Sequence, residues 1–131
     1  MDDFISKFVE VRAEKKLNVL SVKFLGFIPY PDFLKTVEQE YELIRNHHLK
    51  KCMIDLRLIT VYATGMPEYV KEVWFPTVQS LGMQYIAFVV PEAVLGQMSM
   101  NRAHKNTEAN AGMTVEHFKD IKDAMAWLKK C

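Results

Sequence analysis

Cysteine, glycine and proline are scarce in this 131-residue chain, with two, five and five copies. Cys52 lies inside an apolar run and Cys131 is the last residue, so neither a disulfide framework nor a Cys-x-x-Cys pair can form. Five dispersed glycines exclude a glycine-rich phosphate loop, and no serine sits in a Gly-x-Ser-x-Gly elbow. An excess of one charge is lacking as well: 17 basic against 16 acidic residues leave a formal charge of +1. That balance lacks the global footprint of a nucleic-acid binder, though it leaves room for a local patch. No window reaches the roughly 18 uncharged apolar residues of a membrane helix. The opening Met1-Asp2-Asp3-Phe4 is acidic where a secretory signal is basic. The expectation is a cytoplasmic protein, with Cys52 a core residue and Cys131 an exposed thiol.

What is present is ordinary globular composition, 50% apolar and 25% charged, which argues against disorder. The length suits one core, hence a single domain over 1–131. Residues 4–11 and 17–24 read as two strands, the second with Leu20, Val22 and Phe24 alternating against Ser21 and Lys23. The charged link Arg12-Ala13-Glu14-Lys15-Lys16 makes them a hairpin. After Pro29-Tyr30-Pro31, Asp32 is placed as an N-cap. Leu34, Val37, Tyr41 and Ile44 then recur at helical spacing, and Glu38, Glu40 and Glu42 read as a solvated face.

Residues 52–56 form a third strand. A second helix starts near Met66, with Pro67 in its first turn and Pro76 expected to kink or split it near Phe75. Its stripe runs through Tyr69 or Val70, Val73, Trp74, Val78 and Leu81, with Gly82 as a C-terminal cap. Residues 85–90, Tyr-Ile-Ala-Phe-Val-Val, have no charged residue and predict a strand covered on both faces. Residues 92–110 are weakly patterned and read as a helix, either ordered or mobile. Residues 113–118 read as a last strand, and Asp120 caps a final helix. The order β-β-α-β-α-β-α-β-α predicts an α/β fold with a mixed, mostly parallel five-stranded sheet.

Chemistry-bearing clusters are sparse. Adjacent His47 and His48 point about 100° apart on a helix and make a poor chelate, and with Lys50 and Lys51 they suit the helix's negative end. His104 and His117 lack partners at metal spacing, so no metal and no cofactor is expected. Cys52, mid-strand, is inert. Asp55 and Arg57 lie at the carboxyl end of an inner strand, where open α/β sheets receive ligands, although such a pair also forms simply to close a loop. Thr64, just ahead of the second helix, reads as its N-cap, or else as an anion or phosphate position at the helix N-terminus.

Two further readings concern apolar surface. Tyr69 and Trp74 crowd the second helix, and Met98 and Met100 fall in the vaguest segment, where methionine suits an adaptable surface. A ligand binder predicts an enclosed pocket lined by Tyr69, Val73, Met98 and Met100. A protein-binding or self-associating module predicts those side chains packed tight or displayed on a flat face.

The element order also resembles the SpoIIAA-like, STAS-related fold. Met53-Ile54-Asp55-Leu56-Arg57 is similar to that family's hydrophobic-Asp-Leu third strand, and residues 83–90 to its fourth. Phe118 followed by Ala124-Met125-Ala126-Trp127-Leu128 resembles the ending of its uncharacterised bacterial branch. The resemblance implies one of two non-enzymatic roles. One is a regulatory module working through protein contacts and switched by phosphorylation. The other is a binder of a small apolar or amphiphilic ligand, as in the CRAL-TRIO lipid-binding relatives. The family's phosphoacceptor position falls near Ala63-Thr64-Gly65, where the usual Asp-Ser pair is absent and Thr64 is the hydroxyl present. No nucleic acid and no integral membrane segment is implied.

Overall fold

In the computed structural model, residues 3–104 and 112–131 are described. One six-stranded sheet runs in sequence order: β1 (Phe4–Ile5), β2 (Val9–Glu14), β3 (Val19–Phe24), β4 (Lys51–Asp55), β5 (Tyr85–Val89) and β6 (Thr114–Phe118). The first two pairings are antiparallel and the other three parallel. The expected count was five. The extra strand arises because residues 4–11 are not continuous: the chain bends at Lys7 and Phe8, and Ser6 Oγ accepts the Phe8 N–H at 3.1 Å. The expected charged link is also mostly strand, since β2 runs on to Glu14 and a short 3-10 turn, Lys15–Leu17, makes the reversal. Asn18 closes that turn in the left-handed region at φ 61, which asparagine tolerates better than most residues.

Strand alternation decides the two faces. Val9, Val11, Leu20, Val22, Cys52, Ile54, Ile86 and Phe88 belong to the larger core cluster, under the three crossover helices. Helix α1 (Tyr30–His47) buries Phe33, Val37, Tyr41 and Ile44 at spacings of four, four and three. It starts three residues earlier than expected, with Pro29 rather than Asp32 at the N-cap. Helix α2 comprises α-helical Met66–Tyr69, a π-helical stretch Val70–Trp74, and α-helical Phe75–Ser80. Pro76 neither splits nor ends it. Having no N–H, Pro76 cannot serve the carbonyl four residues back, and the preceding turn widens so that the Phe75 N–H reaches the Val70 carbonyl, five back. The widened turn lets two consecutive rings, Trp74 and Phe75, both enter the core, edge to face with centroids 5.0 Å apart.

Helix α3 (Val94–His104) is the third crossover, and its inner face is small: Gly96, Ser99 and Ala103, with Met100. The rest of the vaguely patterned segment, 105–111, lies outside the described residues. On the opposite sheet face, α4 (Ile121–Lys130) packs Ala124 and Leu128 on Val19, Met53, Ala87 and Val89. Asp120 caps it, its Oδ1 accepting the Asp123 N–H at 2.8 Å. Covered on both faces, β5 is buried throughout except at Tyr85.

Candidate ligand site at the carboxyl end of the sheet

Three parallel strands end beneath α1 and α2, and a cavity of about 30 Å³ lies there. Phe24, Ile54 and Phe88 come to it from β3, β4 and β5, and Val37 and Val70 from the helices above. A cavity of this size holds a water molecule or two. Its walls are apolar apart from four side chains: Glu40, Tyr62, Trp74 and His104.

Glu40 is the exceptional one. It is 2% exposed, because it falls on the inner side of α1 between Val37 and Ile44. The expectation that it shares a solvated face with Glu38 and Glu42 is corrected here: spacings of three and four from Val37 and Ile44 put residue 40 with the core stripe. Its Oε1 accepts the Trp74 indole N–H at 2.8 Å. Burial pushes its carboxyl up to about 7, with the Trp74 hydrogen bond pulling the other way. Near neutrality the cavity therefore holds a carboxyl group poised between its two protonation states.

His104 closes the other side, its ring centroid 4.1 Å from that of Phe88 and 5.5 Å from that of Phe75. Its Nδ1 lies 2.9 Å from His117 Nε2, so the two histidines pair with each other. Its Nε2 is buried with no hydrogen-bonding partner among the described residues. Burial first, and His117 second, push its imidazole down to about 3, so it is neutral at physiological pH. In a neutral dyad one shared proton fixes both tautomers. Nε2 therefore presents either a lone pair or an N–H, whichever His117 leaves to it. Tyr62 is buried and its hydroxyl held neutral by burial.

The anticipated residues do not converge on this cavity, Trp74 excepted. Asp55 stands at the carboxyl end of β4 but alternates onto the opposite sheet face from Ile54, pairing in register with Lys23 and Val89. Arg57 donates to it three times: Nε to Oδ1 at 3.0 Å, Nη2 to Oδ2 at 2.8 Å, and the backbone N–H to Oδ1 at 3.1 Å. That clasp engages both carboxylate oxygens and raises the Arg57 pKa. Thr64 is exposed and is not the N-cap of α2. Gly65 occupies that position at φ 92 because the chain needs a left-handed residue to turn into the helix. Tyr69 shares a hydroxyl–hydroxyl bond of 3.0 Å with Tyr41. Val73 and Met98 face solvent while Met100 is buried, so the pocket expected between Tyr69, Val73, Met98 and Met100 does not exist. Residues 71–73 are the outer side of the π turn, which rotates Val73 away from the core. Among the described residues no group of three or more His, Cys, Asp or Glu side chains could hold a metal. Cys52 is buried and Cys131 exposed.

No family model matches the chain, and no curated protein does. Among solved structures it resembles an uncharacterized protein from the DUF3478 family with a SpoIIAA-like fold, from Shewanella loihica PV-4. The TM-score is 0.61 at 14% sequence identity, covering 95% of this chain and 99% of that one. At this identity the likeness speaks for the fold alone. The chain is an α/β protein with a SpoIIAA-like fold. No helix among the described residues is long and apolar enough to cross a membrane.

Proposed function

We propose that the protein is a non-enzymatic binding module that takes a small ligand, apolar in body with one uncharged hydrogen-bonding group, beneath α1 and α2 and beside His104 of α3. The observation that carries this reading is the presence of Glu40 and His104 in one apolar cavity at the carboxyl ends of parallel strands. Open α/β sheets receive ligands at those ends. Burying a carboxyl and leaving an imidazole nitrogen unpaired each cost stability, and costs of that kind concentrate at functional sites. The cavity is too small for the whole ligand, so binding enlarges it. Helix α3 is the element suited to move, because its inner face of small residues buries little apolar area.

The test is the native mass of the protein as purified, compared with its denatured mass. A small mass lost on denaturation, and absent from Glu40→Gln or His104→Ala, supports the reading. Identical native and denatured masses, with no thermal stabilisation by medium-chain alcohols, amides or acids, remove it.

A second reading is favoured by one separate observation. Val94, Leu95 and Met98 are 70%, 62% and 60% exposed, an apolar strip on the outer side of α3. Leu95 and Met98, with Val61, border an open groove of about 510 Å³. Such a strip marks a protein contact, and a second copy of the chain is the first candidate. Sedimentation of the protein beside Leu95→Ser and Met98→Ser checks it: a dimer that the substitutions dissociate supports self-association, and a monomer throughout rejects it.

A further inference from the structure

The opposite, amino-terminal end of the parallel strands carries a charge pattern that the overall balance hides. Three chain segments meet there. Asn18, in the β2–β3 turn, accepts the Lys50 N–H on its Oδ1 at 3.0 Å and the Lys51 N–H on its carbonyl at 3.2 Å. Lys51 Nζ in turn donates to the Leu128 carbonyl at 2.9 Å, tying β4 to the end of α4. Lys16, Lys50, Lys51, Lys129 and Lys130 are thereby gathered at one pole, all but Lys51 exposed. Within segments 14–18, 47–51 and 128–131, Glu14 is the one acidic side chain. The segments leading into β5 and β6 at the same pole, 82–84 and 112–113, carry no charge. The negative end of α4 takes up part of this charge through Lys51, leaving the other four ammonium groups to solvent.

The pole also has a concavity. Lys16, Lys51 and Lys129 ring a pocket of about 190 Å³, with Leu17 and Met125 in its wall and the buried side chains of Val19 and Leu128 beneath it. Leu17, at the tip of the turn, is 38% exposed. Lysines around a pocket with a protruding leucine in its wall match a ligand with an anionic head and a hydrocarbon part. Nucleic acid fits less well. The three segments contain no arginine to fork onto a base edge, and their rings are the small imidazoles of His47 and His48, with Trp127 at the margin.

We propose that this pole docks the protein on anionic lipid surfaces, with a lipid phosphate held by Lys16, Lys51 and Lys129 and Leu17 entering the headgroup layer. The attraction is that of a juxtamembrane basic cluster, falling off within a Debye length. It is independent of the cavity at the other end of the sheet.

The experiment is vesicle co-sedimentation of the full chain, with phosphatidylcholine vesicles alone and with phosphatidylglycerol added. Binding is expected only to the anionic vesicles, and to weaken as salt is raised. Lys16→Gln and Lys129→Gln each weaken it about fivefold. Lys35→Gln, at the far end of the molecule on α1, leaves it unchanged, and far-ultraviolet circular dichroism checks that each variant is folded. Several outcomes overturn the proposal: no sedimentation with anionic vesicles, equal binding to neutral ones, or equal weakening by Lys35→Gln. Binding of inorganic phosphate or of a DNA duplex without vesicle binding overturns it too, assigning the pole to a free anion or to nucleic acid instead.

Discussion

The Trp74 indole N–H meets the Glu40 carboxyl oxygen at 2.8 Å, joining α2 to α1 inside the core. Trp74 reaches that position because the π turn swings it inward beside Phe75, and the turn exists because Pro76 lacks an N–H. A backbone irregularity is thus coupled to the one buried carboxyl group of the main cavity. Trp74→Phe keeps most of the ring packing and removes the donor. It is expected to destabilise the fold by about 1–3 kcal/mol, as an unpaired buried polar group does, and to raise the Glu40 pKa further. Urea denaturation measures the first effect, and carboxyl chemical shifts measured through a pH titration give the second. An unchanged midpoint contradicts the assigned role of the hydrogen bond.

The pH dependence of stability separates the two titratable groups of the cavity. The folded pKa of Glu40 is raised, from 4.5 to about 7, so its contribution is fully present below 4.5 and is lost as pH rises through 7. The shift corresponds to about 3 kcal/mol. The folded pKa of His104 is lowered, from 6.5 to about 3, so its contribution is present above 6.5 and is lost as pH falls toward 3. Between 4.5 and 6.5 the two slopes oppose each other. His117, also shifted down by burial, adds to the His104 side. Tyr41 and Cys52, which interact with Glu40, are raised by burial and stay neutral throughout. Glu40→Gln is therefore expected to unmask a stability that rises with pH through this window. A profile identical to that of the unsubstituted protein means that Glu40 does not titrate as assigned. Denaturation curves across the window decide.

Much of the architecture is legible in the residues, and the exceptions have physical causes. The 85–90 run reads as a doubly covered strand because all but one of its residues are apolar, and Asp120 reads as a cap because its neighbours make it one. The extra strand hides because a two-residue strand leaves no periodicity to read. The candidate site hides for a different reason. Glu40 sits among Glu38 and Glu42, and charge at three alternate positions suggests solvent, although the three- and four-residue spacing to Val37 and Ile44 already marks residue 40 as inward. His104 and His117 are 13 residues apart on a helix and a strand, and only the β5–β6 pairing brings them to one ring of Phe88. Trp74 and Val73 differ by one residue, and which of them faces inward depends on a π turn that helical periodicity does not encode.

The clasp between Asp55 and Arg57 is expected to be structural. Arg57→Ala leaves a buried carboxylate holding one backbone N–H of the three donors it has now. Hydrogen bonds to charged groups contribute about 1.5–3 kcal/mol, so a loss of that order is expected, with Asp55→Asn milder because the amide retains an acceptor. Thermal unfolding of the two variants checks the order. Ligand retention in native mass measurements should not change, since the clasp lies on the sheet face away from the cavity.

Gly96 tests whether α3 is the element that opens. A Cβ there would lie 2.6 Å from the Ile59 carbonyl oxygen and 2.9 Å from Pro91 Cβ, too close for either to remain in place. Alanine gains about 1 kcal/mol of helix propensity over glycine, yet the crowding costs about 1–3 kcal/mol, and the contact is with backbone that cannot rotate away. Gly96→Ala should therefore push α3 off the 59–60 loop while α1, β4 and β5 keep their packing. The expected signature is faster amide exchange confined to α3 and the neighbouring loop, with protection in β4 and β5 unchanged. Loss of protection across the whole sheet means that α3 is integral to the core and cannot act as the moving wall. Unchanged exchange in α3 means that the helix is seated less tightly on the Ile59 backbone than the Gly96 contact requires.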